Sequence, residues 1–123
     1  MIGKAYVATF PFYNNQIHQM QFKNRPVLII GQADSSDYIV LPISRITNSV
    51  NIDPYYDHMI TIQTTPLMNL KQTSYIRTHK QTVINIASLT KMIVDFRQEY
   101  SDIYMEVLAK VEEFQKNVID SAL

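Results

Sequence analysis

Two cations stand at the mouth of an apolar run in the stretch Phe22-Lys23-Asn24-Arg25-Pro26-Val27-Leu28-Ile29-Ile30. A solvated loop accounts for charges such as Lys23 and Arg25. It does not account for Arg25 standing directly before a proline and four β-prone aliphatics. Proline fixes its own φ, so a guanidinium beside it is held at the edge of whatever the strand is buried in. Two further segments carry groups of similar promise. Val40-Leu41-Pro42-Ile43-Ser44 ends a predicted strand in a hydroxyl, with Arg45 next. Leu70 to His79 contains Lys71, Arg77 and His79, with Lys80 next, and sets Arg77 and His79 two apart on a predicted strand, hence on one face. Such cations bind anions, a hydroxyl orients them, and a histidine with pKa near about 6.5 moves protons at neutral pH. Each feature alone has an ordinary structural explanation; their order along one short chain is far less common.

Other chemistries have no support. There is no GxGxxG and no Walker-type glycine loop. His18, His58 and His79 have no partner at ligand spacing, so no metal site and no cofactor is expected. Asp34 and Asp37 flank Ser35-Ser36 and read as turn chemistry rather than paired catalytic carboxylates. The stretch Pro54-Tyr55-Tyr56-Asp57 offers rings that could stack on bases or on the protein itself. With 11 basic and 11 acidic residues the formal net charge is zero, so an anion-binding face must come from uneven distribution. Cysteine is absent, which excludes disulfides and fits a reducing cytoplasm. The N-terminus lacks a signal-peptide layout, and no apolar run approaches the roughly 18 residues of a membrane span. The expectation is a single cytoplasmic domain, 1–123, with no membrane partner.

The elements that must position these groups change period near residue 98. Before it, residues 1–97 read as short strands: Lys4 to Phe10 stopping at Pro11, Val27 to Ile30, Tyr38 to Ile43, His58 to Thr64, Ser74 to Thr78, Thr82 to Ile86 and Lys91 to Val94. The polar residues 11–24, His18 among them, read as a long loop. Val27 to Ile30 lacks alternation and predicts a strand covered on both faces. With two glycines in the chain, Asn and Asp are expected at left-handed positions. From about 98 to 119, Tyr100, Ile103, Tyr104, Val107, Leu108, Val111 and Phe114 follow helical spacing, with Glu106, Lys110, Glu113 and Gln115 opposite. That predicts one amphipathic helix packed on a sheet.

The order of a first strand, a polar stretch, Lys-x-Arg-Pro-Val-Leu-Ile-Ile, Val-Leu-Pro-Ile-Ser, Ser-Tyr-Ile-Arg-Thr and a terminal helix resembles the MazF/PemK (Kid) toxins, from Gly3 to about Val111. These are the RNA-cleaving halves of bacterial toxin–antitoxin pairs. The resemblance implies a mainly β (α+β) fold, a small curved antiparallel barrel-like sheet with a C-terminal α-helix, shared with the CcdB type. It implies a sequence-specific, metal-independent endoribonuclease acting on single-stranded RNA, a homodimer, and a cognate antitoxin partner. Arg25 falls on the family's catalytic arginine and Arg77 on a second arginine of the Kid branch. Ser44 stands where threonine is usual, and His79 where the Kid branch has an aspartate thought to be the base. Lys23, His18, Arg45, Lys71 and Lys80 are the expected RNA-binding residues. The changes at Ser44 and His79 leave open a family member that binds RNA or a partner protein with little or no cleavage. A CcdB-type gyrase poison acts through a tryptophan-bearing C-terminus, and this chain has no tryptophan.

Overall fold

The computed structural model describes the whole chain, Met1–Leu123. The apolar run at Val27 explains why the fold has two cores. Neighbouring side chains on a strand point to opposite faces, so an unbroken apolar run needs cover on both. Leu28 is buried with Leu41, Ile76, Phe96 and Val107. Val27 and Ile29 are buried with Ala8, Val40 and Ile84 on the other side. Each such side chain, fully removed from water, contributes about 1.5–3 kcal/mol.

Seven strands make one sheet: β1 (Ala5–Asn14), β2 (Gln19–Gln32), β3 (Asp37–Ser44), β4 (Asp57–Ile60), β5 (Ser74–Arg77), β6 (Thr82–Asn85) and β7 (Leu89–Val94). Their order is β4-β5-β3-β2-β1-β7, with β6 also on β3, and every pairing is antiparallel. β3 changes partner along its length: Asp37–Val40 pair with β6, Ile43 and Ser44 with β5. That switch, with register shifts between β2 and β3 and between β1 and β7, curls the sheet into a half-barrel. The expected mainly β architecture with a C-terminal helix is therefore present.

The helical segment is α1 (Phe96–Glu99) and α2 (Ser101–Ala122). Asp95 starts it, its carboxylate accepting from the Gln98 amide at 3.3 Å. The single helix expected from 98 is interrupted at Tyr100, with φ −133° and ψ 52°. Its hydroxyl accepts from the Leu67 amide at 2.7 Å, and its ring packs on Phe96. The predicted apolar stripe faces the sheet: Tyr104 and Val107 are buried, and Ile103, Leu108 and Val111 pack beside them. No helix is long and apolar enough to cross a membrane.

Three expectations fail locally. Residues 11–24 are not a loop: β1 and β2 pair without a break from Ala5 opposite Leu28 to Asn14 opposite Gln19. β7 reaches only to Ala8, so Pro11 lies on a free edge, where proline is tolerated. The Asn and Gln that read as a loop are cross-strand partners, as in Asn14 Nδ2 donating to Gln21 Oε1 at 3.0 Å. β4 stops at Ile60 rather than Thr64. The Thr61 amide donates to Thr64 Oγ1 at 2.8 Å and the Thr64 amide to Thr61 Oγ1 at 3.1 Å, and these local bonds displace the ladder. The left-handed positions belong to His18, Asn69 and Gly3 rather than to Asn and Asp alone. The Asp34 turn forms as expected, its Oδ1 accepting from the amides of Ser36 and Asp37, both at 3.0 Å.

Candidate functional site

β5, β3 and β2 are neighbours, and each brings one residue to a common face. Val27 of β2 and Pro42 of β3 are the last pair of their ladder, and Arg25 and Ser44 lie two residues beyond it on their strands. Ser44 pairs with Tyr75 of β5, and Arg77 lies two residues along on the same side. Arg25, Ser44 and Arg77 line one cleft. Two clefts open here, sharing Arg25, Ser44, Arg45 and Thr47. The first, about 580 Å³, adds Lys23 and Lys71 over an apolar wall that includes Met68 and Ile93. The second, about 550 Å³, adds Arg77, Lys80 and Asn51.

Charge decides what these clefts can hold. Six of the chain's 11 cations line them and no Asp or Glu does. The ion pairs of the molecule involve His58, Arg77 and His79, so Lys23, Arg25, Arg45, Lys71 and Lys80 have no carboxylate neutralising them. Unpaired like charges with water on one side and a low-dielectric sheet on the other raise a local potential that concentrates anions. Arg25 is half-buried while the four others are exposed. It is the least exposed of the five.

Arg77 is held differently. Its Nε donates to Asp57 Oδ1 at 3.0 Å, and its Nη2 to Asp57 Oδ2 at 3.4 Å and to the Asn51 carbonyl at 3.3 Å. The Asp57 side chain is fully buried. The two residues are direct partners across β4 and β5.

His79 departs from the expected arrangement. β5 ends at Arg77, where the chain turns and the Lys80 amide donates back to the Arg77 carbonyl at 3.1 Å. His79 therefore sits in a turn, lines neither cleft, and packs its ring against Tyr56 and Phe114 at 5.9 and 6.1 Å. Its Nδ1 is buried without a hydrogen bond, 3.9 Å from Asp57 Oδ1. Burial lowers its pKa below the ordinary 6.5 and outweighs the opposing pull of Asp57. His18 is exposed at the tip of the β1–β2 hairpin and is in neither cleft. Of the nine expected site residues, seven meet at the clefts and the two histidines do not. No group of His, Asp or Glu is arranged to hold a metal ion.

The structure gives other residues contacts that the sequence did not assign them. Tyr55 and Tyr56 both bond to α2. The Tyr55 hydroxyl donates to Glu113, which holds its pKa above the usual 10.0. Asn117 Nδ2 donates to the Tyr56 hydroxyl at 3.0 Å, and the Tyr56 ring meets Phe114 edge-on at 5.1 Å. On the supposed solvent face, Lys110 Nζ lies 3.3 Å from His58 Nδ1 and Glu106 lies 3.8 Å from its Nε2. Asp57 gave no signal of its own, since an acid after two tyrosines looks like turn chemistry until β4 is paired with β5.

No protein-family model matches the chain, and no curated protein matches it at a significant level.

Proposed function

We propose that this chain is the toxin of a toxin–antitoxin pair of the MazF/PemK (Kid) type, an endoribonuclease that cleaves single-stranded RNA. The observation that carries the reading is the pair of acid-free clefts, both lined by an Arg25 without an ion pair and by Ser44. The curved antiparallel sheet with its C-terminal helix is the architecture that the resemblance implies. In the proposed reaction an RNA 2′-oxygen attacks the adjacent phosphorus as its proton leaves. The bond from phosphorus to the 5′-oxygen breaks, and that oxygen takes a proton. The products are a 2′,3′-cyclic phosphate and a free 5′-hydroxyl. Negative charge grows on the non-bridging oxygens, where a fixed guanidinium stabilises the transition state more than the ground state. Arg25 supplies that charge, Ser44 a hydroxyl donor, and Lys23, Arg45, Lys71 and Lys80 hold flanking phosphates. A homodimer, a cognate antitoxin and a cytoplasmic setting belong to the same proposal.

The test is incubation of purified protein with single-stranded RNA in EDTA, with the new ends identified chemically. Cyclic-phosphate and 5′-hydroxyl ends that vanish in Arg25→Ala support the proposal; intact RNA under all conditions overturns it. A second reading, a family member that binds RNA without cleaving it, is favoured by one observation: the residue expected as the base, His79, is packed away from the clefts. Tight binding with no new ends would establish that reading.

A further inference from the structure

Arg77 carries five N–H donors. Three are engaged inside the protein: Nε and Nη2 with Asp57 at 3.0 and 3.4 Å, and Nη2 again with the Asn51 carbonyl at 3.3 Å. The two on Nη1 have no protein acceptor, and Arg77 borders the second cleft. Asp57 is anchored as well, its Oδ2 accepting from the Asp53 amide at 2.8 Å. A fully buried carboxylate carries a desolvation cost that an apolar residue of similar size avoids, so an ion pair of this kind is a poor device for stability alone. It is a good device for fixing the plane of a guanidinium, which otherwise samples many rotamers.

We propose that Asp57 is a positioning residue: it turns Arg77 so that Nη1 stands in the second cleft as a fixed donor to one phosphate of a single-stranded RNA, neighbouring the phosphate held at Arg25. The inference rests on the reading of the clefts as an RNA-binding surface. The middle strand supports it, since Ser44 and Arg45 belong to both clefts and join the two phosphate positions. Asp57 touches no RNA in this scheme and acts only through Arg77.

The experiment compares Asp57→Asn, Arg77→Met, the double variant, and Arg25→Ala as a reference. Three quantities are read: thermal stability, affinity for an uncleavable 2′-O-methyl single strand over a salt series, and cleavage of the matching RNA. Arg77→Met alone strands a buried carboxylate and loses stability. The double variant has neither charge and regains stability, yet stays at least about tenfold slow, and its slope of log affinity against log salt is shallower by about 0.7, one phosphate contact on a single strand. Asp57→Asn leaves the Arg77 charge in place, so the slope holds while the rate falls about tenfold through lost alignment. A double variant with the wild-type rate and slope would show that the pair is structural only. Asp57→Asn at full rate would show that Arg77 needs no positioning. If Arg25→Ala loses its rate while these variants keep theirs, the RNA reading stands and this inference falls. If the wild-type protein neither binds nor cleaves, both fall.

Discussion

Arg25 and Arg77 are the same side chain on strands either side of β3, and the fold treats them in opposite ways. Arg25 precedes a proline, enters no ion pair and looks into both clefts. Arg77 is tied at two nitrogens to a fully buried carboxylate and looks into one. A free cation keeps all its donors for a phosphate but relies on backbone rigidity to hold it in place. A paired one is rigid, and offers a ligand only what its partner leaves over. The same division runs through the whole chain. Residues 1–94 carry eight cations against four acids, and residues 95–123 carry three against seven. A neutral protein is thus built from a basic sheet and an acidic helical segment.

The sharpest way to break the comparison is at Arg25. Arg25→Ala should cut RNA cleavage by about 10²–10³-fold, roughly 3–4 kcal/mol of transition-state stabilisation, and leave the melting temperature unchanged, because no protein partner is lost. Turnover assays beside thermal melts check both halves. Loss of folding without a specific loss of rate would make the two arginines alike.

Arg77→Met should do the reverse first. Removing the partner of a buried charge costs about 3 kcal/mol, the low end for a buried pair because Arg77 itself is 23% exposed. Denaturant unfolding measures it. A variant as stable as wild type would mean that water reaches Asp57.

Phe114→Ala probes the helix side alone. The ring meets Tyr56 and His79 edge-on but is only partly buried, so the loss should be about 1–2 kcal/mol, with cleavage per folded molecule unchanged. A fall in specific activity would tie His79 to the reaction after all.

The smallest effect separates the regions by pH. His58 is held below 6.5 by burial and then by Lys110, and His79 by burial. Both resist protonation in the folded state, so the unfolded chain takes up protons first as the pH drops. The stability they contribute is complete above about 6.5 and is lost as the pH falls through 6.5 towards the lower folded values. Melting temperature should therefore decline below that pH, and less so in His58→Gln. Affinity for an uncleavable single strand should stay flat across the same window, because neither cleft contains a histidine. A parallel fall in affinity would link the two regions.

The fold was legible wherever local pattern and tertiary demand agree. Val27 to Ile30 announced cover on both faces, and the stripe from Tyr100 to Val111 announced a helix on a sheet. It was misread where pairing overrides composition. Asn14, Gln19 and Gln21 look like loop residues until a facing strand supplies their partners, and Thr61 and Thr64 look like strand until their hydroxyls turn on the backbone.

By itself the sequence determined which groups the clefts contain. Arg25 is bound to Pro26 and to an apolar run, Ser44 closes a strand, Lys23 and Arg45 lie beside these anchors, and Lys71 and Lys80 lie within six residues of Arg77. Chain adjacency carries such groups wherever their strands go. Only the tertiary structure decided their states of pairing. Whether a cation is free or bound depends on what stands opposite, and strand register settles that over separations the local pattern does not encode. Twenty residues part Asp57 from Arg77, and 35 part His79 from Phe114. Those two contacts tie the Arg77 guanidinium to a buried carboxylate and pack the His79 ring against the helix.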